Sequence, residues 1–320
     1  MKNILAADIG GTNSRFAHFR FYDDYTIEHI DGLRLETNAA ATFDDLMHQM
    51  FASGIISPDI HWDAVVLAVP GAVRENTYAT LANVRWSVDI SNLRARLPAS
   101  RIFLVNDFVA QAFACLLAHQ LETSVIQKGV EQEGANIAVV GAGTGLGHCA
   151  LAKTANGFYL PLPSEAGHTS FAFQGNIETG YGEYIVEKTG MKYPYSDLVV
   201  SGLGLVLLHT YLTGRELTPS QVVKEIGPES ETTVLFSRFY ARACRNYALA
   251  ILAFGGLFVT GGVAIKNPFL VMNDHFRNEF ADSPHFGRAL KDIPVTLILD
   301  EDSGLWGAAN YGVLNLRNVK

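Results

Sequence analysis

Cysteine is scarce in this chain of 320 residues: only Cys115, Cys149 and Cys244 occur, far apart and without CxxC spacing. That excludes a disulfide framework and a Cys-rich zinc site. No N-x-Ser/Thr sequon and no Gly-Lys-Ser/Thr run occurs, so the chain has neither a glycosylation acceptor nor a P-loop. Positive charge is also short, with 24 Lys and Arg against 32 Asp and Glu, a net charge of −8. Global charge therefore excludes binding to nucleic acid or to an anionic membrane, and any phosphate site must be built locally. The longest uncharged run, residues 246–265, is cut by Gly255-Gly256 and Gly261-Gly262. Its pieces are too short to span a bilayer and read as a helix end, a buried strand and a glycine turn. The apolar start is broken by Asp8 and too short for a signal peptide, so a reducing cytoplasm is the expected location.

What is present is enough for a large core. Hydrophobic residues make up 48% and charged residues 18%, which excludes a disordered chain. The length suggests two domains or one large α/β unit, burying about three quarters of the unfolded surface. Short β-branched runs predict buried strands at 64–69, 102–105, 258–260 and 295–299. Helices are expected at 42–51, 108–119, 184–188, 203–212, 232–254 and 305–316, with Thr42 and Asp45 marking the first start. Alternation of the two implies an α/β architecture. No near-identical repeat is visible, but one pattern occurs twice. A strand runs into Asp8-Ile9-Gly10-Gly11-Thr12-Asn13, and another, 136–140, runs into Gly141-Ala142-Gly143-Thr144-Gly145-Leu146-Gly147. Each is followed by an apolar return, so each reads as a hairpin with a Gly/Thr turn.

In the first turn, glycines let backbone N–H groups approach a phosphate, Thr12 and Asn13 add donors, and Asp8 suits a hydrated Mg²⁺. An ordinary hairpin turn is the competing reading. The second turn runs G-x-G-x-G-x-G and so fails the dinucleotide fingerprint. Its backbone can still cradle phosphate oxygens, and two such hairpins could clamp a nucleotide triphosphate. Asn106 and Asp107 stand at a strand end before a helix, where α/β ligands bind; Asn106 can bond a hydroxyl and Asp107 can take its proton. A helix N-cap explains the same pair. Glu165 and His168 lie three apart in an expected Pro/Gly loop at 160–168, fit to hold vicinal hydroxyls or simply to be solvated. Thr260-Gly261-Gly262 after a strand allows close approach of a flat ring or ribose, or tight strand–helix packing.

Taken together these segments resemble the bacterial glucokinase family, within the hexokinase–actin–heat-shock ATPase superfamily. The resemblance runs nearly the whole length, through the two turns, Val69-Pro70-Gly71, Asn83-Val84-Arg85-Trp86, Asn106-Asp107-Phe108, Pro163-Ser164-Glu165-Ala166-Gly167-His168, Ser201-Gly202-Leu203-Gly204-Leu205 and Phe258-Val259-Thr260-Gly261-Gly262. It implies two actin-like (ribonuclease H-like) lobes, each a mixed β-sheet flanked by helices, around a cleft. The small lobe would be 1–107 with 303–320 and the large lobe 108–302, the last helix crossing back onto the first lobe. The implied activity is ATP-dependent phosphorylation of glucose at the 6-hydroxyl. Asp107 matches the catalytic base, and Asn106, Glu165 and His168 match sugar ligands. Ala7, Asp8, Ile9, Gly10, Gly11, Thr12, Asn13, Gly141, Gly143, Thr144 and Gly145 match the phosphate turns, and Gly261 and Gly262 the adenosine side. ATP, Mg²⁺ through water on Asp8, and a homodimer are implied as well.

Two departures bear on the sugar. Where the family has a Glu before the Ser-Gly at 201–202, this chain has Asp197, one methylene shorter, unless Glu183 or Glu187 substitutes. Ser164 and Ala166 stand where glycines are frequent. A kinase for mannose, fructose or an amino sugar therefore remains open, as does a non-catalytic sugar sensor. No basic helix-turn-helix accompanies the fold, and the retained Asp107 and the Glu165/His168 pair weigh against a sensor or a heat-shock-like ATPase.

Overall fold

The computed structural model describes residues 1–317 except 58, 82–83 and 94–96, so Asn83 lies outside the described residues. The chain divides into two compact units, 1–120 with 302–320, and 121–301.

In the first unit, β1 (Lys2–Ile9), β2 (Asn13–Phe21) and β3 (Ile27–Glu36) form an antiparallel meander. Helix α1 (Phe43–Ala52) follows, capped by Thr42, whose side chain accepts the Asp45 N–H. β4 (Trp62–Val69) then pairs parallel to β1, and β8 (Ala99–Asn106) parallel to β4, giving the order β3-β2-β1-β4-β8. β4 is apolar almost throughout because it is buried almost throughout, as a covered central strand requires. Between β4 and β8 a small sheet is made of β5 (Val73–Arg74), β6 (Tyr78–Thr80) and β7 (Ser87–Asp89). Helix α2 (Asp107–Cys115) and the last helix, α11 (Ser303–Arg317), pack together. Asn310 Nδ2 donates to Phe113 O at 2.9 Å, and a Cβ on Gly307 would lie 1.8 Å from Ala110 O. That close packing keeps α2 in the first unit, so the break falls at 120/121 and not at the expected 107/108.

The second unit starts with β9 (Thr123–Gln127) and then repeats the pattern. β10 (Ile137–Ala142), β11 (Leu146–Lys153) and β12 (Tyr159–Ser164) form a second antiparallel meander. After α3 (Gly175–Thr189), α4 (Ser196–Val199), α5 (Gly202–Thr213), α6 (Pro219–Glu225) and α7 (Glu231–Ile251), β13 (Leu257–Thr260) pairs parallel to β10. Helices α8 (Gly262–Lys266), α9 (Asp274–Ala281) and α10 (Gly287–Asp292) lead to β14 (Val295–Ile298), parallel to β13. The order β12-β11-β10-β13-β14-β9 thus contains the antiparallel, antiparallel, parallel, parallel sequence of the first sheet. The two glycine turns occupy the same place in the two copies, which is the actin-like duplication.

Two expectations change. Residues 160–164 are strand and not loop: β12 is an edge strand, and an edge tolerates Pro161 and Pro163 because their missing N–H groups break no central ladder. Helix α3 is much longer than the expected 184–188. Its glycines do packing work, since a Cβ on Gly182 would lie 2.8 Å from the Phe173 ring and one on Gly180 2.7 Å from the Tyr211 hydroxyl. The uncharged run resolves into the end of α7, β13 and, where a glycine turn was expected, the single turn residue Gly261 followed by α8. Among the described residues no helix is long and apolar enough to cross a membrane.

Candidate active site

In the first unit the turn from β1 to β2 is held by its carbonyls. Gly10 N–H donates to Asn13 O at 2.9 Å, and Thr37 N–H donates to Thr12 O at 2.9 Å. Thr37 Oγ1 donates to Gly10 O at 2.7 Å and Asn38 Nδ2 to Gly11 O at 3.2 Å. Among the described residues the N–H groups of Gly11 and Thr12 have no acceptor. A turn with its carbonyls tied back and its amides outward is a concavity for an anion. Ala7 and Ile9, expected among the nucleotide contacts, lie fully buried in the body of β1, where they carry the turn. Asp8 faces Arg15 across the hairpin, Oδ2 lying 2.6 Å from Arg15 Nη2, and Arg15 Nη1 reaches Asp302 Oδ1 at 3.1 Å.

Asp8, Ala68 and Val105 form one row across the parallel strands β1, β4 and β8. Strand spacing puts Asp8 about 10 Å from Val105, at the carboxyl edge where ligands of such sheets bind. Asn106 and Asp107 follow directly. Asn106 is the N-cap of α2: Oδ1 accepts Phe108 N–H at 2.9 Å while Nδ2 donates to Gly71 O at 3.0 Å. The cap and the site reading describe one geometry, because the two bonds fix the amide and leave it one further donor and one acceptor position. Asp107 occupies the first helical position, with Oδ1 accepting the same Phe108 N–H at 2.9 Å.

The second unit carries the matching turn. Gly143 N–H donates to Gly145 O at 2.8 Å, and Gly202 N–H donates to Gly143 O at 3.0 Å. Ala142 N–H donates to the Tyr240 hydroxyl at 2.9 Å, and Leu146 N–H to Asp197 Oδ1 at 2.8 Å. Among the described residues the N–H groups of Thr144 and Gly145 have no acceptor. Gly141 pairs with Thr260, so the turn after β13 lies beside it. Gly261 there has φ +89°, and a Cβ on it would lie 2.5 Å from Ala142 O, so only glycine fits. Beside these turns opens a mostly apolar cavity of about 650 Å³. Gly143, Thr144, Gly202 and Gly262 line its floor, Leu203, Val223 and Val263 its walls, and Ser220, Lys224 and Lys266 supply polar groups. The volume and the balance of apolar walls with few polar groups suit a purine nucleoside.

Glu165 and His168 sit on a 3₁₀ turn that follows β12. His168 Nε2 lies 3.8 Å from Glu165 Oε2 and 4.0 Å from Asp197 Oδ2. The structure thus brings Glu165, His168 and Asp197 together, while Glu183 and Glu187 are exposed on α3. Burial pushes the Asp197 carboxyl up, against the Leu146 hydrogen bond and His168, which pull it down. Ser164 Oγ accepts Ala166 N–H at 3.2 Å, a bond within the turn that a glycine at 164 could not make.

Sequence reasoning missed Arg15, the walls of the cavity and the anchoring of the second turn. The start of α6, also missed, carries a signal that could have found it: Thr218-Pro219 followed by Gln221 is a capping box with proline in the first turn.

A family model described as glucokinase matches residues 5–314, from within β1 to within α11. The chain belongs to the glucokinase family. Glucokinase of Nostoc sp. strain PCC 7120 is 31% identical over 97% of this chain and 98% of its own length. Glucokinase of Campylobacter jejuni subsp. doylei is 30% identical over 95% and 92%. The crystal structure of a glucokinase from an Antarctic psychrotroph is 26% identical, covers 97% of this chain and 98% of its own, and superposes with a TM-score of 0.82. The fold extends to a ROK family glucokinase from Streptomyces griseus solved with glucose and AMPPNP, at 17% identity, 97% and 98% coverage and a TM-score of 0.63.

Proposed function

We propose that this chain transfers the γ-phosphoryl group of ATP to the 6-hydroxyl of glucose, giving glucose 6-phosphate and ADP. The observation that carries the reading is the full-length glucokinase match over residues 5–314 on a chain that keeps Asp107 at the carboxyl edge of its first sheet. Phosphoryl transfer needs alignment, charge neutralisation and water exclusion more than covalent help. Asn106, Glu165, His168 and Asp197 would hold the sugar hydroxyls. Asp107 would take the proton of the 6-hydroxyl as its oxygen bonds to phosphorus and the bond to ADP breaks. The amides of Gly11, Thr12, Thr144 and Gly145 would receive phosphate oxygens, and the cavity beside Gly143 and Gly262 the nucleoside.

Mg²⁺ fits the residues present. The Asp8 carboxylate is oriented by Arg15 on one oxygen, which leaves the other for a metal-bound water. Among the described residues no cluster of three His, Cys, Asp or Glu side chains could hold a metal alone, so outer-sphere attachment is the mode that suits them. When bound, the ion would neutralise phosphate charge.

A coupled assay with Mg²⁺ and ATP, with and without glucose, tests the reading. Glucose-dependent glucose 6-phosphate is expected. ATP turnover that ignores glucose, or none at all in folded protein, would overturn it. Asp197, shorter than a Glu, favours one second reading, a kinase with another preferred hexose, and a sugar panel in the same assay separates the two. A homodimer in the cytoplasm completes the proposal, with light scattering as the check on the dimer.

A further inference from the structure

One side chain joins the nucleotide turn of the second unit to its sugar-facing loop. Asp197 Oδ1 accepts Leu146 N–H at 2.8 Å, at the foot of the β10–β11 turn, while Oδ2 stands 4.0 Å from His168 Nε2 on the other loop. Two glycines make this placement possible. A Cβ on Gly145 would lie 2.7 Å from Asp197 Oδ2, and one on Gly167 would lie 2.1 Å from Oδ1 and 2.3 Å from Leu146 O. Leu146 is gripped at its other end too. His148, only 3% exposed, lies with Nδ1 3.1 Å from Leu146 O, and a carbonyl can only accept, so Nδ1 carries the proton. The residues just before Leu146 are Thr144 and Gly145, whose N–H groups have no acceptor among the described residues.

We propose that Asp197 is a positioning residue for the nucleotide turn, and that a sugar hydroxyl bonded to its second oxygen tightens nucleotide binding. Of the two carboxylate oxygens Oδ1 is the one bonded to the turn, and the carboxylate can still rock about that bond. A hydroxyl donating to Oδ2 fixes the carboxylate and, through it, the direction of the Thr144 and Gly145 amides. The coupling is reciprocal, since two ligands that share one ordering step each tighten the other. The sugar half of this statement rests on the hexokinase reading above; the nucleotide half does not.

The test is the Kd of a non-hydrolysable ATP analogue with Mg²⁺, by calorimetry on the full chain, with and without saturating glucose. Wild type is expected to bind the analogue about 5-fold tighter or more with glucose, the lower end of ordinary coupling. Asp197→Ala should weaken sugar-free binding about 10-fold, the loss of one charge-assisted hydrogen bond. Asp197→Asn separates the halves. Its amide oxygen still accepts Leu146 N–H, so sugar-free Kd stays within about 2-fold, but its NH₂ can only donate, so the charge-assisted bond from the sugar hydroxyl is lost and the glucose effect shrinks. A merely structural role would move melting temperature without this split. Sugar-free Kd unchanged in Asp197→Ala overturns the positioning role, and a wild type indifferent to every hexose overturns the coupling. A response to another hexose but not to glucose overturns only the glucose reading. Should Asp197→Ala not fold, His148→Val, which removes the grip on Leu146 O, is expected to weaken sugar-free binding about 3-fold, and unchanged binding there counts against the proposal.

Discussion

Arg15 Nη2 lies 2.6 Å from Asp8 Oδ2, the two residues standing directly opposite each other in the β1–β2 ladder. The same guanidinium reaches Asp302 Oδ1 at 3.1 Å, one residue before α11. A planar fork can bond two carboxylates in fixed directions, which a lysine ammonium cannot do equally well. Arg15 therefore fixes the Asp8 carboxylate, proposed above to hold a hydrated Mg²⁺, and ties the β1–β2 hairpin to the residue that precedes the last helix.

Arg15→Met is expected to raise the KM for Mg·ATP about 10-fold and to lower stability by about 1 kcal/mol, since the Asp8 carboxylate is partly buried and that of Asp302 is exposed. Arg15→Lys should recover most of the stability and less of the KM. Steady-state kinetics against Mg·ATP and a thermal melt check both, and an unchanged KM in Arg15→Met removes the orienting role.

Asp107→Asn retains the carbonyl oxygen that accepts Phe108 N–H and loses only the capacity to take a proton. The expected result is a kcat lower by about 10² or more, the typical contribution of a general base, with KM for glucose within a few-fold. Full turnover in this variant would assign the proton to another group.

Much of this was legible because the chemistry is local. Gly10-Gly11-Thr12 and Gly143-Thr144-Gly145 declare turns whatever surrounds them, and both occupy the same step of a duplicated strand order. Asn106 was legible as a helix N-cap, and its cap bonds also fix the amide that the proposed function uses. What was not legible depends on long-range partners. Pro161 and Pro163 hid β12, because only its edge position permits them. Gly180 and Gly182 hid the length of α3, because their use appears only when Tyr211 and Phe173 arrive. Asp197 could be aligned by its spacing from Ser201, but its bond to Leu146, across 51 positions, could not be foreseen.

Glycine positions that look alike in sequence should behave differently. Gly143 has nothing within 4 Å of an added Cβ, whereas Gly261 has φ +89° and Ala142 O at 2.5 Å. Gly143→Ala is expected to change stability by less than about 1 kcal/mol. Gly261→Ala combines backbone strain with a backbone clash and should cost about 3 kcal/mol or more. Denaturant midpoints of the two variants decide it, and equal midpoints would contradict the packing at Ala142.

His148 sets a pH dependence of stability. Burial pushes its imidazole down to about 4 from the ordinary 6.5, with the Leu146 carbonyl pulling slightly upward. Between those values the unfolded chain takes up a proton that the folded chain refuses, so stability falls as pH drops through this window. The span is worth about 3 kcal/mol at roughly 1.4 kcal/mol per pH unit. Asp197, raised by burial, acts in the opposite sense between pH 3.8 and its raised value. Unfolding free energies of wild type and His148→Val from pH 7 to pH 4 should converge by about that amount, and parallel curves would show that His148 is not held neutral.

Arg242 is fully buried on α7, with Nη1 and Nη2 at 2.5 and 3.1 Å from the two oxygens of Glu178 and Nε 2.8 Å from Glu279 Oε1. It joins α3 to α9 through two acids that are themselves almost fully buried. Removing only the cation leaves charge in the core, which is worse than never having had the pair. Arg238 lies 3.3 Å from Glu178 and 3.1 Å from Glu279, and Arg245 3.3 Å from Glu279, so the loss is shared but not abolished. Arg242→Leu is expected to lower stability by about 3 kcal/mol, near the lower end for a broken buried pair. Adding Glu178→Gln should recover part of it, because the stranded charge is then gone. A double variant less stable than the single one would mean that Arg242 acts through packing on Phe171 and Phe239, whose rings lie 5.7 and 5.8 Å from its guanidinium, and not through charge.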